Sequence, residues 1–226
     1  MYKIILLIIP YLLIFSCSSE NTTETNTKTK LKFDSFEPIT DFENCFDLET
    51  FQLLAAAKSN LEKFMTAYLI EEGEGLPVAY ERYCLAWTGQ FGNDLDTQIL
   101  LNSAVSKQLL NHPNFKDIWV RLTELGDTTY TEELAYDEEG NQVIVKYIEN
   151  YWTLNINGSY YNCLNETGLA YAKNYLVKKE YGDVKPHELA FELYKTVGIE
   201  EFANPIIQNI IVADLYLRLI AVREGK

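Results

Sequence analysis

Histidine is nearly absent from this 226-residue chain, which has only His112 and His187. A Ser-His or Cys-His catalytic pair therefore has little to draw on. His187-Glu188 opens in the manner of a zinc-protease helix, yet Phe191 stands where the second histidine would be needed. Cysteine is scarce too, four in all, with no CxxC and no Cys/His spacing of a zinc site. Thr88-Gly89-Gln90-Phe91-Gly92 lacks the Gly-Lys-Ser/Thr ending of a phosphate loop, and no Gly-x-Ser-x-Gly elbow occurs. Asp94 and Asp96 match the first two ligand positions of a calcium loop. Ile99 then replaces its turn glycine and Val105 its final glutamate, so the pair reads as helix capping. No metal and no cofactor is expected. Basic residues are outnumbered 19 to 33, for a net charge of −14, which argues against a nucleic-acid partner because phosphate binding calls for a basic face.

What is present begins with an address. Met1-Tyr2-Lys3 leads into an apolar run from Ile4 to Phe15, followed by Ser16 and Cys17, the order of a secretory signal. As helix the run rises about 18 Å, short of the roughly 30 Å of a bilayer core. Leu13-Ile14-Phe15-Ser16-Cys17 resembles the lipobox of bacterial lipoproteins. The resemblance covers the first twenty or so residues and implies cleavage before Cys17 and attachment of lipid to its thiol. Several acyl chains hold a protein stably where one does not.

Residues 17–32 contain almost nothing that could be buried to offset ordering entropy, and they read as a disordered tether. Their Thr/Asn/Glu-rich style is similar to lipoproteins of the Bacteroidota. Such a tether has a stretched limit of about 50 Å, which keeps the rest of the chain near its membrane. Residues 1–16 are thus expected to be a signal peptide, 17–32 a lipidated tether and 33–226 one globular domain in the cell envelope, at the outer membrane. Removing Lys3 with the leader takes the charge to −15. Besides Cys17 the chain carries Cys45, Cys84 and Cys163, an odd number for an oxidising compartment. One disulfide and one buried thiol are expected, and spacing leaves the pairing open.

The domain is expected to be α+β, mainly helical, with a three-stranded antiparallel β-meander at about 130–164 packed against helices. Asp47 is placed to cap a helix over 48–72, along which Leu54, Ala57, Leu61, Phe64 and Tyr68 recur at helical spacing. A helix after Pro77, one from Asp94 or Asp96 to His112, and one over 113–125 follow. Tyr130–Tyr136, Val143–Ile156 and Ser159–Leu164 are rich in β-branched and aromatic residues, and Asn157-Gly158 is a two-residue hairpin signal. That register sets Leu154 opposite Tyr161 and Trp152 opposite Cys163. A bulge near Glu149-Asn150 would gather Val143, Val145, Tyr147, Trp152, Leu154 and Ile156 on one face. Helices over 168–180, 185–197 and 206–223 complete the chain. The last is apolar nearly all round and reads as the central helix, with Asp214 and Arg218 one turn apart as a structural ion pair.

Sixteen tyrosines exceed what a core of this size requires, and tyrosine supplies rigid apolar area with a hydroxyl that stays wet. On the hairpin register Tyr151 and Tyr160 point away from the core, Tyr160 facing Asn155. These three form a candidate binding surface. The function expected is non-enzymatic binding at the envelope, capturing a protein or glycan or acting as an immunity-type neutraliser of a toxin. The alternative is an envelope hydrolase that uses paired carboxylates, one of them in an apolar setting that raises its pKa.

Overall fold

The computed structural model describes residues 45–89, 96–126, 130–148, 150–181 and 184–224. The leader, Cys17 and the tether lie outside these residues, as do Asp94 and Glu149. Helix α1 (Leu48–Tyr68) starts where Asp47 Oδ1 accepts the Thr50 N–H at 2.8 Å and buries Leu53, Leu54, Ala57, Leu61, Phe64 and Met65. Helix α2 (Leu76–Trp87) carries Pro77 in its first turn, where no intrahelical N–H is needed. The single helix expected from Asp96 to His112 is two: α3 (Thr97–Leu101), capped by Asp96, and α4 (Ala104–Leu110). Ser103 Oγ accepts the Ser106 N–H at 3.0 Å, so a side chain competes with the helical ladder there and restarts it.

The helix expected over 113–125 is also broken. A single turn, α5 (Phe115–Ile118), leads into strand β1 (Trp119–Arg121) and a 3₁₀ turn over Leu122–Leu125. Strands β2 (Tyr130–Tyr136) and β3 (Gln142–Ile148) form a hairpin, and β4 (Trp152–Leu154) pairs antiparallel with β1. The sheets are therefore two-stranded, β1-β4 and β2-β3, and the three-stranded meander is not formed. The run Val143–Ile156 divides into β3 and β4, which pair with different strands; the bulge expected at Glu149-Asn150 lies partly outside the described residues.

The last expected strand is a helix, α6 (Ser159–Glu166), which removes the Asn157-Gly158 hairpin with it. Gly158 has φ −82°, which any residue adopts, and is required for another reason. A Cβ there would lie 1.9 Å from the carbonyl oxygen of Asp117. Its close approach lets Asp117 Oδ1 accept the Ser159 N–H at 2.8 Å and start α6. Helices α7 (Ala170–Tyr181) and α8 (Pro186–Thr196) follow, and α8 packs on α2.

The core surrounds one long helix, in which α9 (Pro205–Ile211) passes through a π-helical stretch (Val212–Leu217) into α10 (Arg218–Glu224). By length and composition Pro205–Arg223 could cross a membrane, but 78% of its most apolar stretch is buried inside the fold against α1, α4, α8 and their neighbours. Aromatic donors from neighbouring elements reach carbonyls of the π-helical stretch. Trp119 Nε1 donates to Ala213 O at 3.0 Å and Tyr83 Oη to Leu215 O at 3.0 Å. Burial pushes the hydroxyls of Tyr83, Tyr160 and Tyr175 well above their ordinary pKa, so they remain donors. Cys45 and Cys163 form a disulfide that ties the chain before α1 to α6, and Cys84 is a buried thiol.

Candidate interaction surface

The proposed patch of Tyr151, Tyr160 and Asn155 does not assemble. Tyr160 lies on the buried face of α6 with Cys163 and Leu164, stacks on Phe46 and donates to Asn209 O at 3.3 Å. The error follows from reading Ser159–Leu164 as a strand: positions 160, 163 and 164 share a helix face, not a strand face. Asn155 is half-buried and spent on local structure, donating to Lys116 O at 2.7 Å and accepting the Asn157 N–H at 3.0 Å. Tyr151 is exposed, immediately before β4.

The β2-β3 hairpin presents a larger apolar face. Its register pairs Tyr130 with Ile148, Glu132 with Lys146, Leu134 with Ile144 and Tyr136 with Gln142, and strand alternation puts these residues on one side. Leu134 is 70% exposed, Tyr136 68%, Ile144 65%, Tyr130 56% and Ile148 55%. Apolar residues of this size gain on the order of 1 to 2 kcal/mol each when taken out of water, and the Glu132–Lys146 ion pair lies across the middle of the face, between Tyr130/Ile148 and Leu134/Ile144. On the opposite side Ala135, Val143 and Val145 are half-buried, while Tyr147 is 50% exposed.

Local chemistry fixes the hairpin. Asp137 Oδ1 accepts the N–H groups of Glu139 (3.0 Å) and Asn141 (2.8 Å), and Gly140 takes φ +84°, which favours glycine. The same backbone donors, Asn141 foremost, hold the Asp137 carboxyl below its usual range, so the tip Asp137-Glu138-Glu139 keeps Asp137 charged. Glu132 and Lys146 pair across the strands at 2.6 Å. Being exposed, the pair sets register more than it adds stability.

Asp47 and Asp117 converge on Thr50 Oγ1, at 3.0 Å from each, and Ser159 Oγ donates to Asp117 Oδ2 at 2.5 Å. Backbone N–H donors hold the carboxyls of Asp47, Glu74 and Asp137 below their usual range. For Asp47 the cause is chiefly the Thr50 N–H, in helix capping. The pair Asp214 and Arg218 is joined by Lys179, at 3.2 Å and 2.7 Å from the carboxylate, with side chains 0%, 6% and 4% exposed. Tyr175 Oη adds a hydrogen bond at 2.9 Å. This knot pins α7 to the central helix and is too enclosed to meet a ligand.

One open cleft of about 400 Å³ brings Thr88 and Gly89 together with His187, Glu188, Trp87 and Phe191. Its Glu188 carboxylate accepts the Lys185 N–H at 3.1 Å to cap α8, so it serves the helix. No family model, no curated protein and no solved structure matches the chain.

Proposed function

We propose that this chain is a non-enzymatic capture module, tethered by lipid on Cys17 at the bacterial outer membrane, and that the β2-β3 hairpin holds a protein partner there. The exposed face of Tyr130, Leu134, Tyr136, Ile144 and Ile148 carries this reading. Rigid rings with wet hydroxyls beside aliphatic anchors are the composition of binding surfaces. The lipobox-like segment before Cys17 and the Cys45–Cys163 disulfide support a place outside the cytosol.

The tether is tested by labelling cells with a palmitate analogue. Label is expected on the full chain and absent from Cys17→Ser; an unlabelled wild type rules the anchor out. The surface is tested by recovering partners from envelope extract with the wild type and with a Leu134→Ser, Ile144→Ser double variant. A specific band is expected to fall at least about tenfold in the variant, as loss of central apolar anchors produces. Equal recovery by both proteins removes the hairpin from the binding surface.

A further inference from the structure

We propose that the outer edge of β2 is a strand-addition site for a cationic, extended segment of another protein. This rests on the reading of the hairpin as the binding surface and specifies how it binds and what.

The hairpin is a two-stranded sheet, so among the described residues neither of its outer edges carries a ladder partner. The Asp137 N–H donates to Asn141 O at 3.0 Å. In an antiparallel ladder, hydrogen-bonded and non-hydrogen-bonded pairs alternate, so counting back from that pair turns the backbone groups of Tyr136, Leu134, Glu132 and Tyr130 away from β3. These are the residues whose side chains form the exposed face. An incoming strand would thus take up the free donors and acceptors and extend the same apolar surface.

Proteins usually blunt an edge with lysine, proline or a bulge. β2, Tyr-Thr-Glu-Glu-Leu-Ala-Tyr over 130–136, has no lysine or proline, and its pairing with β3 runs unbroken from Tyr130 to Tyr136. Seven residues also match the usual strand length.

Charge selects both edge and occupant. β2 carries Glu132 and Glu133 and runs directly into Asp137, Glu138 and Glu139, whereas the one charge in β3 is Lys146. A segment alternating lysine or arginine with apolar residues complements β2. A second copy brings another net charge of −14 to the contact, and an anionic bilayer repels the acidic tip.

The full-length chain is titrated into a fluorescein-labelled synthetic peptide of about nine residues. The peptide alternates lysine with valine; a counterpart has glutamate for lysine. The lysine peptide is expected to bind at least about tenfold tighter, and to weaken as salt rises from about 50 to about 500 mM. Leu134→Lys on the β2 edge should abolish the difference, and Tyr68→Lys on α1, away from the hairpin, should preserve it. Amide exchange by NMR locates the contact: the Leu134 and Tyr136 amides should gain protection with peptide, and the Ile144 amide should not.

Equal binding of the two peptides overturns the proposal, as does protection at Ile144 in place of Leu134. Protection of Leu134 that grows with protein concentration alone assigns the edge to a second copy. Binding to phosphatidylcholine vesicles by Cys17→Ser, lost in Leu134→Ser, assigns the face to lipid; either result overturns the proposal. If the peptides do not bind while Leu134→Ser, Ile144→Ser still lowers recovery from extract, strand addition fails and the binding surface stands. If recovery is unchanged as well, both fail.

Discussion

Around the central helix, Tyr83, Tyr160, Tyr175 and Tyr216 lie inside or nearly inside the fold, and each hydroxyl meets a partner: Leu215 O, Asn209 O, Asp214 Oδ2, or Ser106 and Asn60. On the hairpin, Tyr130, Tyr136 and Tyr147 stand half or more in water beside Leu134, Ile144 and Ile148. The same side chain serves opposite ends in the two regions. Inside, the ring fills volume and the hydroxyl satisfies a buried polar group: a central-helix carbonyl for Tyr83 and Tyr160, the Asp214 carboxylate for Tyr175, and the Ser106 and Asn60 side chains for Tyr216. Outside, apolar area is held open to solvent on a hairpin that its own turn and cross-strand pairs define. Stability should therefore respond to changes around the helix, and binding to changes on the hairpin.

The largest expected effect is at Asp214. Asp214→Ala removes a buried carboxylate that contacts Lys179 and Arg218 and accepts the Tyr175 hydroxyl, and should cost about 3 to 5 kcal/mol in denaturant unfolding. Leu134→Ser, on the exposed face, should change stability by no more than about 0.5 kcal/mol. A comparable loss at both positions would erase the contrast between the regions.

Replacing Cys45 and Cys163 by serine opens a link that spans 118 residues and should cost about 2 to 5 kcal/mol. Because the disulfide joins α6 to the start of α1, the hairpin should keep its partner recovery below the new melting temperature. Recovery lost in the still-folded variant would show that binding depends on this region instead.

Gly158→Ala sharpens the comparison at two glycines. The new Cβ would meet a backbone oxygen, which side-chain motion cannot relieve, and should cost about 1 to 3 kcal/mol of global stability. Gly140→Ala strains a left-handed φ where there is open space, and should loosen the hairpin tip alone. Thermal melts of the two variants separate these outcomes; a larger global loss from Gly140→Ala would contradict them.

A smaller effect is set by pH. Asp47 is held low in the folded chain, so the unfolded chain binds more protons as pH falls through the carboxylate range. Its contribution is present above the unfolded pKa of about 4 and is lost below it as pH falls through the folded value. Asparagine caps a helix about as well as aspartate, so Asp47→Asn should keep the cap, forfeit only the charge-dependent part of its contribution at neutral pH, and flatten the acid limb below about pH 5. An unchanged acid limb would count against the cap as the cause.

Much of the fold was legible because local and tertiary preferences agree. The Asp47 cap, the α1 spacing, the nearly all-apolar central helix and strand β2 could all be read directly, whereas the strand expected from Val143 to Ile156 ends at Ile148. Reading failed where a residue serves a neighbour distant in sequence. Gly158 looked like a turn glycine and is instead a contact glycine for Asp117, which no local pattern reveals. Tyr160, Cys163 and Leu164 stand at helical spacing, the one local signal that could have placed Ser159–Leu164 in a helix against the Asn157-Gly158 pattern.

The candidate surface was half legible: the tyrosine excess pointed to binding, at the wrong residues. Val143, Val145 and Tyr147 were assigned to a core face on the assumption of a third strand. With two strands only, the other parity, Tyr130, Leu134, Tyr136, Ile144 and Ile148, becomes the open apolar face.

The most direct measurement places a photo-crosslinking amino acid at position 134, 144 or 68 of the full chain in living cells. Tyr68, 55% exposed on α1, gives a site of similar accessibility away from the hairpin. Adducts of one discrete mass are expected from 134 and 144 and not from 68. No adduct from the hairpin, or the same adduct from all three positions, would contradict a partner held on that face.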